Sequence, residues 1–130
     1  MKTYWDSSAL VLALHDGGVR DRLQSGPAIT RSHALTEIFS TLTKGVNFRY
    51  SPADAAKLVR DLSHDLDFVE LVATDTLKAI DSASINGVRG ARIHDLMHAV
   101  AAVKAGCSTL ITLDHAGFDS FKLALKIEEP

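Results

Sequence analysis

The sequence predicts an α/β fold: a three-layer sandwich with a central, mainly parallel sheet flanked by helices. Three observations predict it. Short apolar, β-prone runs alternate with longer segments of helical periodicity along the 130 residues. Strands separated by helices pair in parallel through right-handed crossovers, which places helices on both faces of one sheet. The length is that of a single domain, 1–130, large enough to bury a core.

The elements follow in order. "KTYW" is a short strand, and "SSALVLALH" reads as a helix that stops at Gly17-Gly18. "AIT" at 28–30 is a second strand, placed after the Gly26-Pro27 break. A helix runs through "SHALTEIFSTLTK", with Leu35, Ile38, Phe39 and Leu42 as its apolar stripe. Ser51-Pro52 opens the next helix: the Ser hydroxyl caps it, Pro suits the first turn, and Asp54 favours the positive end of the dipole. "FVELVA" at 68–73 is strand-like, and Thr74 is placed to cap the helix "DTLKAIDSASIN". Gly87 to Arg92 forms a loop, and a helix then carries "IHDLMHAVAA" to Gly106. "TLITL" at 109–113 is an apolar strand, and "LALKI" at 123–127 suits a last edge strand.

Composition narrows the function. Apolar content of 46% excludes a disordered chain, and a net charge of −2 gives no global field for nucleic acid, so such binding rests on local basic patches. The lone Cys107 makes no internal disulfide. In "MKTYWDSSALVLALHD" the apolar run is interrupted by Asp6 and is too short for a signal or membrane segment, so a cytoplasmic protein is expected.

Four acids stand out by position. Asp6 follows the first strand and Asp114 the "TLITL" strand, on the carboxyl-end rim where open α/β sheets bind ligands. Taken singly, Asp6 also suits a helix cap and Asp114 a turn. Glu37 and Asp95 each border the apolar stripe of a helix, where a carboxylate is costly unless paired. Should the four converge, each like-charge pair costs about 3 kcal/mol at ~5 Å and an effective dielectric near 20. Protonation or a divalent cation relieves that cost, and an oxygen-only donor set favours Mg²⁺ or Mn²⁺.

The blocks "WDSSALV" (5–11), "TEIFSTL" (36–42), "RGARIHDLMHAVAAVKAG" (89–106) and "LITLDHAGF" (110–118) together resemble a PIN domain, specifically the VapC-type toxin ribonucleases. The resemblance implies a metal-dependent endoribonuclease, the toxin half of a toxin–antitoxin pair. Its site acids are then Asp6, Glu37, Asp95 and Asp114, with Asp6 and Asp95 as the direct ligands of one or two Mg²⁺ or Mn²⁺ ions. Ser8 and Thr112 follow as hydroxyls that orient carboxylates or water. The implied partners are an RNA substrate, a small antitoxin and a second copy in a homodimer. One position departs from the pattern: relatives often carry an acid just before the phenylalanine of the last block, where this chain has Gly117 before Phe118. Asp119 is then a rival to Asp114 for the fourth corner. The departure also leaves open a catalytically weak PIN-fold module that binds RNA or a protein partner.

Other residues invite function. His94 and His98 stand four apart on a helix, the spacing for a shared zinc ion. No third ligand is marked, and "HDLMH" lacks the metalloprotease glutamate, so a surface or partly packed pair is the plainer reading. Arg89 and Arg92, in the loop before the Asp95 helix, suit contacts to an RNA backbone. Lys44, Arg49, Lys57 and Arg60 form a second basic stretch, and solvated charge accounts equally for both sets. Tyr4 and Trp5 belong to core packing.

Overall fold

The β-prone start of the chain enters the middle of the sheet. In the computed structural model, which describes residues 1–130, β1 (Thr3–Trp5) pairs with β2 (Ala28–Arg31) on one side and β4 (Thr109–Ile111) on the other. β3 (Asp67–Val69) and β5 (Lys126–Glu128) form the edges, giving the order β3-β2-β1-β4-β5 with every pairing parallel. All five strands thus point their carboxyl ends at the same rim.

Alternation along the strands divides the core. Trp5, Ala28 and Ile111 pack with α1 (Ser7–His15), α2 (Gly17–Gln24), α3 (His33–Thr43) and α4 (Pro52–Ser63). Tyr4, Ile29 and Leu110 pack instead with α6 (Arg92–Lys104) and Phe118 of α7 (His115–Asp119). α5 (Ala73–Asn86) packs beside α6 through Ala79 and Ala83. Successive strand residues face opposite layers, so one short strand serves two cores.

Several boundaries differ from the sequence reading, each for a local reason. The helix "SSALVLALH" does stop before Gly17-Gly18, but a second helix starts on those glycines. Asp16 accepts a hydrogen bond from the Val19 N–H at 3.0 Å and starts α2, which Arg20 ties to Asp61 of α4 (3.1 Å) and to Asp65 just beyond it (2.8 Å). The "FVELVA" run forms a strand only over Asp67–Val69, at the sheet edge. Thr74 does not cap α5. Asp75 does so in its place, accepting from the Val72 N–H at 2.9 Å, and it also takes the Lys104 ammonium at 2.7 Å. In α3 the fully buried positions are Ala34, Ile38 and Leu42, whereas Phe39 stays 37% exposed. Ser51 caps α4 as expected, accepting from the Asp54 N–H at 3.1 Å, with Pro52 in the first turn. Gly87 closes α5 in the left-handed region at φ 70°, which glycine adopts without penalty.

No helix is long and apolar enough to cross a membrane.

Candidate active site

The centre of the rim is built on Asp6, the residue after β1. It is 5% exposed, and three donors fix its carboxylate. Oδ1 accepts from the Ser8 hydroxyl at 2.7 Å and from the Ala9 N–H at 2.9 Å; Oδ2 accepts from the Thr112 hydroxyl at 2.6 Å. Asp6 therefore does cap α1, yet the cap leaves part of its acceptor capacity open. A carboxylate offers about four lone-pair positions, and three are used.

The two hydroxyls link Asp6 to the end of β4. Thr112 Oγ1 also accepts from the Asp114 N–H at 3.0 Å, and Ser8 Oγ accepts from the Leu113 N–H at 3.2 Å. Both hydroxyls thus donate to the acid and accept from backbone. Asp114 itself begins α7, its Oδ1 accepting from the Gly117 N–H at 3.1 Å. A Cβ on residue 117 would stand 2.2 Å from Asp114 Oδ2, so this side-chain position needs glycine. Asp119 lies at the far end of α7, beside an apolar crevice formed with Leu123, Leu125 and Ile127.

Glu37 and Asp95 approach from α3 and α6. Glu37 Oε1 accepts from His98 Nε2 at 2.8 Å, and Ser7 Oγ lies 3.2 Å from the same nitrogen. Burial opposes ionisation of Glu37, but the His98 hydrogen bond and charge, with help from Ser7 and His33, hold its carboxyl below the ordinary range. Asp95 moves the other way. Burial raises its carboxyl, and the negative charge of Asp6, then of Asp114 and Glu37, raises it further against the opposing pull of His98. Asp6, Asp114 and Glu37 thus each bear electrostatically on Asp95.

No lysine or arginine forms an ion pair with any of the four; Glu37 has a hydrogen bond from His98, an ion pair only when that ring is protonated. That leaves a surplus of negative charge with hard oxygen donors, which fits Mg²⁺ or Mn²⁺. No three His, Cys, Asp or Glu side chains close round a single point. Mg²⁺ usually takes one or two carboxylates and keeps its waters, so Asp6 and Asp95 alone make a chemically suitable pair.

His98 was underestimated from sequence. It is 2% exposed, turned inward between Tyr4 and Glu37, and is not a surface histidine. Its position three residues after Asp95, on the same helix face, was the available signal. His94 is exposed and lies against His33, with ring centroids 6.4 Å apart, so the two histidines of "HDLMH" share no ligand position. Arg92 is tethered: it donates to Gly117 O (3.1 Å) and Ser120 Oγ (2.7 Å) and lies 4.7 Å over the Phe121 ring. Arg89 is exposed. A groove of about 480 Å³ leads away from Ser7, Ser8 and Glu37 past Leu12, Phe48 and Leu113.

The PIN domain pattern matches residues 3–122, nearly the whole chain. The chain belongs to the PIN domain family. Comparison with curated proteins gives no match. Among solved structures, this PIN domain is similar to the DNA-bound VapBC of Salmonella typhimurium (18% identity, TM-score 0.76, covering 99% of this chain and 98% of that one). It is similar also to VapBC2 of Rickettsia felis bound to a promoter DNA fragment (15%, 0.73, 99% and 98%). A third similar structure is the VapC20 toxin of Mycobacterium tuberculosis, described as cleaving the sarcin–ricin loop (18%, 0.68, 95% and 98%). At these identities the likeness establishes the PIN fold, with its five-stranded parallel sheet between helical layers.

Proposed function

We propose that this PIN domain is a Mg²⁺- or Mn²⁺-dependent endoribonuclease and the toxin of a VapBC-type pair. The observation that carries the reading is the acidic quartet at the carboxyl-end rim. Burial first, and then the charge of the other three acids, raises the Asp95 carboxyl, and no lysine or arginine forms an ion pair with any of the four.

Asp6 and Asp95 are the residues to hold the cation. A bound ion supplies positive charge for the scissile phosphate and acidifies water. The chain does the rest. Ser8, Thr112 and the Ala9 N–H keep the Asp6 carboxylate in one orientation, so little reorganisation is needed as charge develops. Glu37, held ionised, is the group suited to accept a proton from the attacking water. Asp114 completes the acidic rim. Exposed Arg89 is placed to hold an RNA backbone without reading sequence; Arg92 is less suited, being engaged with α7.

The similar solved structures include DNA-bound VapBC complexes. By analogy the partners are a small antitoxin and a second copy of the chain. A weaker reading is favoured by one observation: Asp114 is turned back onto the Gly117 N–H, which ties up one of its oxygens, and the domain would then bind RNA or a protein partner without cutting RNA.

The test is cleavage of a defined RNA by purified protein with Mn²⁺ and with EDTA. Cleavage that appears only with Mn²⁺ supports the nuclease. Retention of intact RNA in both conditions supports the binding module.

A further inference from the structure

Tyr4 and His98 are buried polar residues beside the acidic rim, 0% and 2% exposed, and the carboxylate chemistry above gives Tyr4 no role. With His98 neutral, their hydrogen bonds have one consistent assignment. Glu37 Oε1 is an acceptor, so His98 Nε2, 2.8 Å away, carries a proton. In the neutral ring Nδ1 then holds a lone pair, and the Tyr4 hydroxyl at 2.7 Å donates to it. The Tyr4 oxygen also accepts from the Arg31 N–H at 3.2 Å, and Thr30, whose own hydroxyl donates to Trp5 O at 2.8 Å, lies beside the phenol.

We propose that Tyr4 and His98 are positioning residues: the Tyr4 hydroxyl fixes the Nε2–H tautomer of His98, and His98 in turn aims the Glu37 carboxylate at the acidic site. The relay begins in β1, two residues before Asp6, and passes through α6, one turn after Asp95. It therefore locks Glu37 of α3 to the two elements that carry the proposed cation ligands. The inference rests on reading the quartet as a nuclease site, because only there does the aim of Glu37 matter to turnover.

The experiment joins two readouts on one set of proteins. Ring ¹⁵N NMR of His98, assigned by its loss in His98→Gln, reports the tautomer without any need for activity. Cleavage of a defined RNA with Mn²⁺ reports kcat and KM for wild type, Tyr4→Phe, His98→Gln and His98→Leu. The expected results are an Nε2–H ring in wild type and loss of that fixed tautomer in Tyr4→Phe. kcat should fall roughly 10- to 100-fold in Tyr4→Phe and His98→Leu with KM little changed, the usual scale for groups that orient an active-site ligand. His98→Gln retains a side-chain N–H for Glu37 and recovers much of the rate. Tyr4→Phe keeps the ring and the packing, so it decides the matter if His98→Leu fails to fold. An Nδ1–H ring in wild type overturns the proposal, as does an unchanged kcat in Tyr4→Phe or equal rates for His98→Gln and His98→Leu. Absence of cleavage by wild type defeats the nuclease reading instead, and the ¹⁵N spectra then decide the relay alone.

Discussion

The Thr112 hydroxyl donates to Asp6 Oδ2 at 2.6 Å across 106 positions of sequence, and through it the end of β4 is fastened to the end of β1. Thr112 is fully buried, and the same oxygen accepts the Asp114 N–H. Thr112→Val therefore strips a buried carboxylate of one donor and leaves a backbone N–H without its acceptor. A hydrogen bond to a charged group is worth about 1.5–3 kcal/mol, so the variant should lose stability on that scale, read by urea unfolding. Unchanged stability would mean that the contact does not form in solution.

Asp95 gives a pH signature in EDTA-treated protein. Its carboxyl is raised in the folded state, by burial first and then by the charge of Asp6, so the native protein binds a proton that the unfolded chain releases. Stability then falls as pH climbs from the ordinary carboxylate range through the raised value. Asp95→Asn removes that loss. Thermal melts should show Asp95→Asn above wild type at pH 7, with the gap closing near pH 3, below the unfolded Asp value of about 3.9. A gap independent of pH would contradict the crowding of acids. Glu37 carries the opposite sign: its carboxyl is lowered, so its contribution is present at neutral pH and is lost on acidification.

Gly117 and Asp114 occupy one space. A methyl group at 117 would sit 2.2 Å from Asp114 Oδ2, so Gly117→Ala must turn that carboxylate off the start of α7. Loss of a cap of this kind costs about 1 kcal/mol. The melting temperature of Gly117→Ala should drop, and on the proposed function its RNA cleavage should fall with it. An unaltered melting temperature would show that the cap contributes nothing.

The Arg20 bridge separates fold from function. Arg20 joins α2 to Asp65 and Asp61, away from the acidic rim, and Asp61 is two-thirds exposed. Arg20→Ala should cost no more than about 1 kcal/mol and should leave cleavage per folded molecule as in wild type. A large loss of cleavage in a well-folded Arg20→Ala protein would mean that the site extends to α2.

Much of this arrangement is legible in the sequence because strand ends and helix stripes leave periodic traces. Asp6 and Asp114 follow apolar runs that become β1 and β4, and Glu37 and Asp95 border the buried residues of α3 and α6. The parallel direction of the strands follows from helices intervening between them. What periodicity misses is local. α2 begins on two glycines that look like a stop, and only the Asp16 carboxylate shows why a helix can start there. α7 is too short to show a period. His98 looks like any polar residue on a helix until Tyr4, 94 positions away, is seen beneath it. Such partners are set by tertiary packing, which a pattern along the chain does not encode.

Asp6→Asn tests the central claim most directly, since Asp6 is the acid bound on both oxygens by the rim. The measurement is cleavage of a defined RNA by wild type and variant over a Mn²⁺ titration, with circular dichroism to verify the fold. The account predicts Mn²⁺-dependent cleavage by wild type and none above background by folded Asp6→Asn. Cleavage by Asp6→Asn at the wild-type rate would contradict it.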